Sequence, residues 1–347
     1  VNVLANSITA AKHSRHYFLE RALEPLRPFL DDPKVVEIAV NKPGQVFIER
    51  LGADHMEFHA INALTAAEIQ NIGERVAGST DQFISKSAPI LSAALPTGER
   101  IQVVLPPAAP EGGSISIRKQ VVNNMDLERY RDSGSLDKVS VAVGGLSDID
   151  RQLIAYLKEN RIYDFIHTAI TQRISILISG GTSSGKTTFL NACLKSVHPK
   201  ERILTLEDTR ELFPPQENRV HLIASKGGQG TADVTIQHLL EASLRMRPDR
   251  LFVGEIRGVE AFSFLRAINT GHPGSMSTVH ADTPQGAYEQ IAMMMMQAGL
   301  SGGYAKQDLM SYIRMVIPIV IQLRRDGGKR GVFEIFFARD EENVKCR

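Results

Sequence analysis

Ile174-Ser175-Ile176-Leu177-Ile178-Ser179 runs directly into Gly180-Gly181-Thr182-Ser183-Ser184-Gly185-Lys186-Thr187-Thr188, and the apolar helix start FLNACL follows. The spacing fits G-x-x-x-x-G-K-[ST] in the context that pattern requires, after a strand and at the opening of a helix. Glycines at 180, 181 and 185 let the backbone wrap closely, because they tolerate positive φ and carry no side chain. The loop N–H groups then converge on phosphate oxygens at a helix N-terminus, where the dipole also favours an anion. Residues Gly180, Gly181, Thr182, Ser183, Ser184, Gly185, Lys186, Thr187 and Thr188 are therefore expected to cradle a nucleotide. Within them Lys186 reaches the β- and γ-phosphates and the Thr187 hydroxyl ligates Mg²⁺. A Gly/Ser-rich turn that binds nothing is the bland alternative, and the strand-to-helix context weighs against it.

Outward from this loop, short apolar runs alternate with helical stretches: Ser175–Ser179, Ile203–Leu206, Leu251–Gly254 and Ser275–Val279. That alternation predicts a parallel sheet with crossover helices, an α/β fold. Ligands of open parallel sheets sit beyond the carboxyl ends of the strands, so the residues closing each run are the candidates. Glu207, Asp208 and Glu211 follow the second run, Glu255 the third and His280 the fourth. If these strands neighbour the loop strand, the acidic residues and the imidazole face the γ-phosphate. Carboxylates there hold Mg²⁺, mostly through water, or orient the attacking water. Histidine hydrogen-bonds the γ-phosphate or stabilises its charge. Glu207, Glu211, Glu255 and His280 are thus the catalytic candidates, and Thr187, Asp208 and Glu255 the Mg²⁺ candidates; which carboxylate orients the water stays open. The third run lacks the usual terminal aspartate, with Gly254-Glu255 in its place, and Asp249 precedes the strand, at the wrong end for a metal. Taken singly, each residue reads as a solvated loop carboxylate or a structural histidine; coinciding strand ends favour a hydrolytic site. His272, in Gly271-His272-Pro273-Gly274, reads equally well as part of a plain turn.

The N-terminal part reads as a smaller mixed α/β unit. A helix is expected over 14–29, then strands Val35–Val40 and Gln45–Glu49 around Lys42-Pro43-Gly44. Thr65 reads as an N-cap before a helix that aligns Ile69, Ile72 and Val76. Strands Ile101–Leu105 and Ser114–Arg118 flank the loop PPAAPEGG. Periodicity fades from Gln120 to Asp150, which predicts a linker, and helical spacing resumes from Arg151 to Thr171. The expected division is 1–119, a linker over 120–150, and 151–347. Val316–Ile321 is too short to span a bilayer, and Pro318 inside it suggests an edge strand. Met293–Met296 reads as helix core, with a soft protein-binding surface as the minor alternative.

Among the 347 residues, 40 are basic and 39 acidic, a net charge of +1, which argues against a protein built to coat nucleic acid or anionic lipid. Only Cys193 and Cys346 are present, too few for a disulfide framework or a cysteine metal cluster. A reducing, cytoplasmic compartment is expected. The opening residues VNVLANSITAAKHSRHYF lack a long apolar run, so no secretory signal is read there. Because the chain opens on Val1, an initiator Met or a short leader is expected to precede it.

The loop GGTSSGKTT, the acidic box LEDTREL, the segment GEIRG and the box GHPGSMSTVHA occur in this order. The series resembles the type II/type IV secretion ATPase superfamily, where the boxes are called Walker A, Asp box, Walker B and His box. The likeness covers about Ser175 to Ala281. Upstream, VEIAVNKPGQVFIE and LPTGERIQVVLPP resemble that family's N-terminal domain, and SISIRKQVVNNMDLERYRDSGSLD is similar to the traffic ATPases of type IV secretion systems, the VirB-eleven type. The resemblance implies a RecA-like P-loop C-terminal domain, ATP and Mg²⁺ as ligands, a homohexameric ring, and nucleotide held between the two domains. It further implies that N-terminal arginines reach the phosphates, and Arg100 in TGER and Arg118 in SIR match that role. Their plain alternative is a solvated surface arginine. Arg245 and Arg247, in LRMRPDR, are weaker candidates because a basic helix end satisfies the dipole equally well.

The expected activity is ATP hydrolysis coupled to relative movement of the two domains. Such a motor would energise translocation of a protein or nucleoprotein, or pilus assembly, beside inner-membrane secretion components, with peripheral membrane association. The alternatives are a RecA-like nucleic-acid translocase or helicase, a small-molecule phosphotransferase, and a nucleotide-sensing assembly subunit. A translocase would need a basic and aromatic channel, and the sequence has no Trp and a neutral charge balance.

Overall fold

The computed structural model describes residues 15–120, 126–137, 139, 145–225, 230–299 and 303–340, so Ser14 and Cys346 lie outside the described residues. Helix α1 covers 15–22. It does not continue as one helix to Phe29. Pro25 and Pro28 each sit in the first turn of a new short piece, the 3₁₀ turn Glu24–Leu26 and α2 (Arg27–Leu30). Proline fits there because the first helical N–H groups have no partner in any case.

The N-terminal sheet is built from β1 (Val35–Lys42), β2 (Gln45–Arg50) and β3 (Glu57–Ala60) before α3 (Ala66–Ser79), and β4 (Ile90–Ala94), β5 (Arg100–Val104) and β6 (Ser114–Arg118) after it. Among the described residues this sheet has six strands in the order β3-β2-β1-β6-β5-β4. Every pair is antiparallel. Helix α3 starts where expected: the Thr65 hydroxyl accepts the Glu68 N–H at 3.2 Å, and Ile69, Ile72 and Val76 are buried. They join Ile38, Ile48, Ile101 and Ile117 in the N-terminal core. Each such fully buried side chain stabilises by roughly 1.5–3 kcal/mol.

The connecting stretch contains α4 (Leu127–Asp132), capped by Asp126. A capping box between Ser147 and Asp150 opens α5 (Asp148–Lys158), so helix begins inside the span expected to be linker. The single helix expected over 151–171 is two: Asn160 adopts a left-handed φ of 55° and α6 (Ile162–Thr171) starts afresh.

The second sheet follows through β7 (Ile176–Gly180), α7 (Lys186–Leu194), β8 (Ile203–Glu207), β9 (Arg219–Ile223), α8 (Ile236–Ser243), β10 (Arg250–Val253), α9 (Glu260–Asn269), β11 (Met276–Val279), α10 (Pro284–Gln297), α11 (Lys306–Val316), β12 (Ile319–Asp326) and β13 (Lys329–Phe337). Among the described residues its seven strands run β13-β12-β7-β11-β10-β8-β9. All neighbours are parallel except β13, which returns antiparallel to β12. The fold is the α/β architecture expected, but the edge-strand expectation for Val316–Ile321 is corrected. Pro318 lies just before β12, outside the ladder, and its carbonyl accepts the Ala338 N–H at 2.8 Å. Strand β12 is therefore internal, and the edge falls to β13. The methionine run divides by helical period: Met294 and Met295 are buried, whereas Met293 and Met296 face out.

Apolar and polar contacts join the two sheets. Val104, Ala108 and Ala109 pack into the same core as Val220 and Leu222, and the Ile223 N–H donates to the Ala108 carbonyl at 2.8 Å. Arg202 is fully buried and donates to Asn41, to the Asn218 side chain at 2.7 Å and to the Met246 carbonyl at 2.9 Å. Arg247 grips Glu49 with two bonds of 2.7 and 2.9 Å. Such buried charges need this degree of pairing, since an unpaired one costs several kcal/mol.

Candidate active site

Strand β7 is buried along its whole length and delivers its last residue, Gly180, to the carboxyl edge of the sheet. A Cβ on Gly180 would stand 2.5 Å from the Ser184 hydroxyl oxygen and 2.6 Å from the Leu323 carbonyl oxygen, so only glycine fits. The loop then turns through left-handed geometry at Ser183 (φ 59°) and Gly185 (φ 97°) before α7 begins at Lys186. This delivers the backbone N–H groups and the positive end of the α7 dipole to one cleft.

That cleft has a volume of about 390 Å³. Thr182 through Thr188 form its floor, and Glu207, Asp208, Glu211, Glu255 and His280 stand around it. The strand order explains the meeting: β11, β10 and β8 follow β7 in sequence across the sheet, so their carboxyl ends form one rim. Lys186 is mostly buried and curls back to donate to the Gly180 and Gly181 carbonyls at 2.8 and 3.1 Å, with His280 ring nitrogens at 3.4 and 3.5 Å. Burial lowers its pKa, Glu255 opposing and Arg257 adding to the shift.

Glu207 ends β8 with one oxygen held by the N–H groups of Glu211 and Leu212 at 2.8 and 2.9 Å. Its other oxygen, Oε2, is buried without a partner. Burial raises the pKa of this carboxyl, and the two N–H bonds together with the nearby Thr205 hydroxyl offset part of the rise. Gly254 accounts for the missing terminal aspartate on β10. A Cβ there would come within 3.2 Å of the Glu207 Cγ, so any side chain at 254 crowds the Glu207 stem. Glu255 instead reaches inward, 3.1 Å from the His280 Nε2.

Arg257, which the sequence reading did not single out, forks between Asp208 at 2.7 Å and Glu255 at 2.8 Å. The hydrogen bond to Glu255 raises its pKa. A cation thus already lies between two of the three groups expected to hold Mg²⁺, and the half-buried Thr187 lines the same cleft. No cluster of three or more His, Cys, Asp or Glu side chains that could hold a metal exists among the described residues. The donor set of a hydroxyl and two carboxylates is of the kind Mg²⁺ takes, with water and phosphate completing its shell. The Ser184 hydroxyl and Glu207 Oε2 are buried without a hydrogen-bond partner, on residues that line this cleft. Arg330, on the β12–β13 hairpin, also lines it and was likewise unread.

Arg100 and Arg118 are elsewhere. They are register partners at the start of β5 and the end of β6, and both are exposed. They line a separate cavity of about 730 Å³ with Glu37, Arg245, Arg247, Asp249 and His272. Pro248 and Asp249 precede β10, so this cavity adjoins the amino ends of the parallel strands, whereas the phosphate loop lies at the carboxyl ends. A four-residue strand separates those ends by roughly 13 Å. Asp249 does stand at the end away from the loop, accepting from the Arg202 N–H at 2.7 Å and from Arg247 at 2.9 Å. His272 contacts the Pro248 carbonyl at 2.8 Å, and burial lowers its pKa. Cys193 is buried in α7, and burial pushes its thiol up to about 12, which leaves it unreactive. No helix among the described residues is long and apolar enough to cross a membrane.

The family profile described as "Type II/IV secretion system protein" matches residues 20–330. The type IV secretion system protein VirB11 of Bartonella henselae is 39% identical over 328 residues, covering 91% of this chain and 91% of that protein. Protein VirB11 of Agrobacterium fabrum is 32% identical over 322 residues, covering 92% and 93% respectively. Among solved structures, the VirB11 ATPase from the Brucella suis type IV secretion system, in complex with sulphate, superposes with a TM-score of 0.89 at 34% identity, covering 96% of this chain and 98% of that one.

Proposed function

Because this chain belongs to the type II/IV secretion system protein family, we propose that it is a type IV secretion ATPase whose cleft at Lys186 hydrolyses ATP to drive transport. The observation that carries the reading is the meeting of Lys186, Glu207, Asp208, Glu255 and His280 around one cleft at the carboxyl ends of β7, β8, β10 and β11. Family membership does not favour the nucleic-acid translocase alternative.

In this reading the loop N–H groups and Lys186 neutralise the β- and γ-phosphates, exchanging the Gly180 and Gly181 carbonyl contacts for phosphate oxygens. Glu207 is assigned to the attacking water: Oε1 is fixed by two backbone N–H groups, and Oε2, shielded from solvent in this structure, is the acceptor a water entering with the nucleotide would meet. Burial makes it a better base than an ordinary carboxylate. Thr187, Asp208 and Glu255 are the residues that would hold Mg²⁺, largely through water, and the ion would supply positive charge against the charge developing on the phosphates. His280, beside Lys186 and Glu255, hydrogen-bonds the terminal phosphate. Glu211 orders the 207–212 turn through its backbone and borders the cleft with its side chain.

The arginines complete the proposal. Arg100 and Arg118 stand across the sheet from their own phosphate loop, so a copy of the chain placed beside this one is assigned to receive them. A closed homohexamer supplies each cleft that way. Hydrolysis then removes contacts made from two subunits and releases the domains against one another. The chain is divided into a first unit over 1–119 and a second that opens with α5 at Asp148, three residues before the expected boundary at 151. The cargo is a protein or nucleoprotein, and the ring works in the cytoplasm, held peripherally by inner-membrane secretion components.

ATP turnover per subunit, measured across a range of protein concentrations, tests this. Turnover rising with assembly and lost in both Lys186→Ala and Arg118→Ala is expected. Turnover independent of concentration and indifferent to Arg118 would overturn the shared site while leaving a nucleotidase.

A further inference from the structure

Strand β12 pairs with β7 only as far as Leu323 opposite Gly180, and the hairpin to β13 continues beyond the end of β7. Arg330, opposite Arg325 in that overhang, borders the nucleotide cleft. It stands on the opposite flank from the rim of His280, Glu255 and Glu207, because β12 and β11 lie on opposite sides of β7. The terminal phosphate belongs to the rim side, where Lys186 meets His280. The cleft also runs past Gly185 and the start of α7 to Arg330 on the hairpin, and this flank is taken for the rest of a nucleotide. The side chain nearest a Cβ built on Gly185 is Arg330 itself, with Cδ at 3.6 Å.

Among the described residues no Phe, Tyr or Trp lines the cleft, and its one ring, His280, stands on the terminal-phosphate side beside Lys186. Two neighbouring cations are engaged, Arg257 by Asp208 and Glu255, and Arg324 by the Asp282 carbonyl and the Phe333 ring; Arg325 and Lys329 do not line the cleft. Arg330 is exposed and makes no ion pair or ring contact among the described residues. A guanidinium is planar, weakly hydrated and able to stack on an aromatic face.

We propose that Arg330 is the platform for the nucleotide base, its guanidinium stacked on the purine face while its stem covers Gly185. This rests on the nucleotide-binding reading above. It makes Arg330 a binding residue for the nucleoside, with no part in phosphate chemistry.

Equilibrium titration of the intact 347-residue chain with ADP and, separately, with pyrophosphate tests it. In Arg330→Ala, ADP should bind roughly fivefold to thirtyfold more weakly, while pyrophosphate is unchanged. Arg330→Lys, which keeps the charge without the plane, should behave toward ADP much like the alanine variant. Unchanged ADP affinity in Arg330→Ala would overturn the proposal. So would an equal loss for pyrophosphate, which would make Arg330 a phosphate clamp. A parent chain that binds neither probe would instead overturn the nucleotide reading, and this proposal with it.

Discussion

Replacing Glu207 by Gln preserves the shape of the side chain and alters its charge at one point. The amide oxygen can still accept the Glu211 and Leu212 N–H groups now held at 2.8 and 2.9 Å. The amide nitrogen takes the place of the unpartnered Oε2, and it cannot accept a proton from water. If Oε2 orients and activates the water, nearly all of that contribution is lost. Such groups contribute about 10²- to 10⁴-fold, or about 3–5 kcal/mol of barrier. Stability moves in a way that can be signed. The folded-state pKa is raised, so the stability tied to this carboxyl is fully present below the ordinary glutamate range. It is lost as pH rises through the folded-state pKa. Glutamine removes that loss, but leaves an amide N–H₂ group in a dry corner at about 1–3 kcal/mol. The two terms oppose, and Tm at neutral pH should stay within about 4 °C of the parent. Single-turnover phosphate release beside an ADP titration is the assay: release should fall at least a hundredfold while ADP affinity holds. Near-parental release in a folded Glu207→Gln variant would refute the assignment and move the water to Glu255.

Gly180→Ala should lower Tm and abolish nucleotide binding together, because the Leu323 carbonyl contact is backbone and cannot swing away; a melt and an ADP titration check it. Glu37 is buried with Oε1 unpartnered, and burial pushes its carboxyl up to about 8. Its contribution to stability is full below the ordinary value of 4.5 and lost as pH rises through 8, so Glu37→Gln should flatten the fall of Tm over that window. A double-mutant cycle on Glu49 and Arg247, followed by denaturant unfolding, should return a coupling of roughly 0.5–3 kcal/mol; zero coupling would mean that this pair does not hold the two sheets together.

What could be read from the sequence was whatever local spacing dictates. The phosphate loop, the capped start of α3 at Thr65 and the carboxylates closing β8 and β10 all follow from short-range pattern. The rim's composition also followed, because parallel strands place their carboxyl ends on one side. What could not be read depends on strand order. Arg330 reaches the cleft only because β12 inserts beside β7, and periodicity carries no such information. Arg257 stood inside a recognised segment, but its fork needs the spacing of β8 and β10 across the sheet. Val316–Ile321 is not an edge strand because Pro318 precedes the ladder, which begins at Ile319 and is flanked by β7 and β13. The arginines at 100 and 118 lie side by side as antiparallel register requires, yet which end of the other sheet they face is a matter of domain packing. No local signal encodes that.

The glycine at 180 has a mechanical consequence. With the backbone of β12 pressed so near the mouth of the phosphate loop, the C-terminal hairpin cannot slide along β7 without breaking the ladder that ends at Leu323. Loop and hairpin therefore form one stiff member, like a trigger and its guard cut from a single plate. A tug applied at the hairpin tip by anything that docks there would be felt at the phosphates without an intervening joint, and strain created at the phosphates would travel outward by the same route.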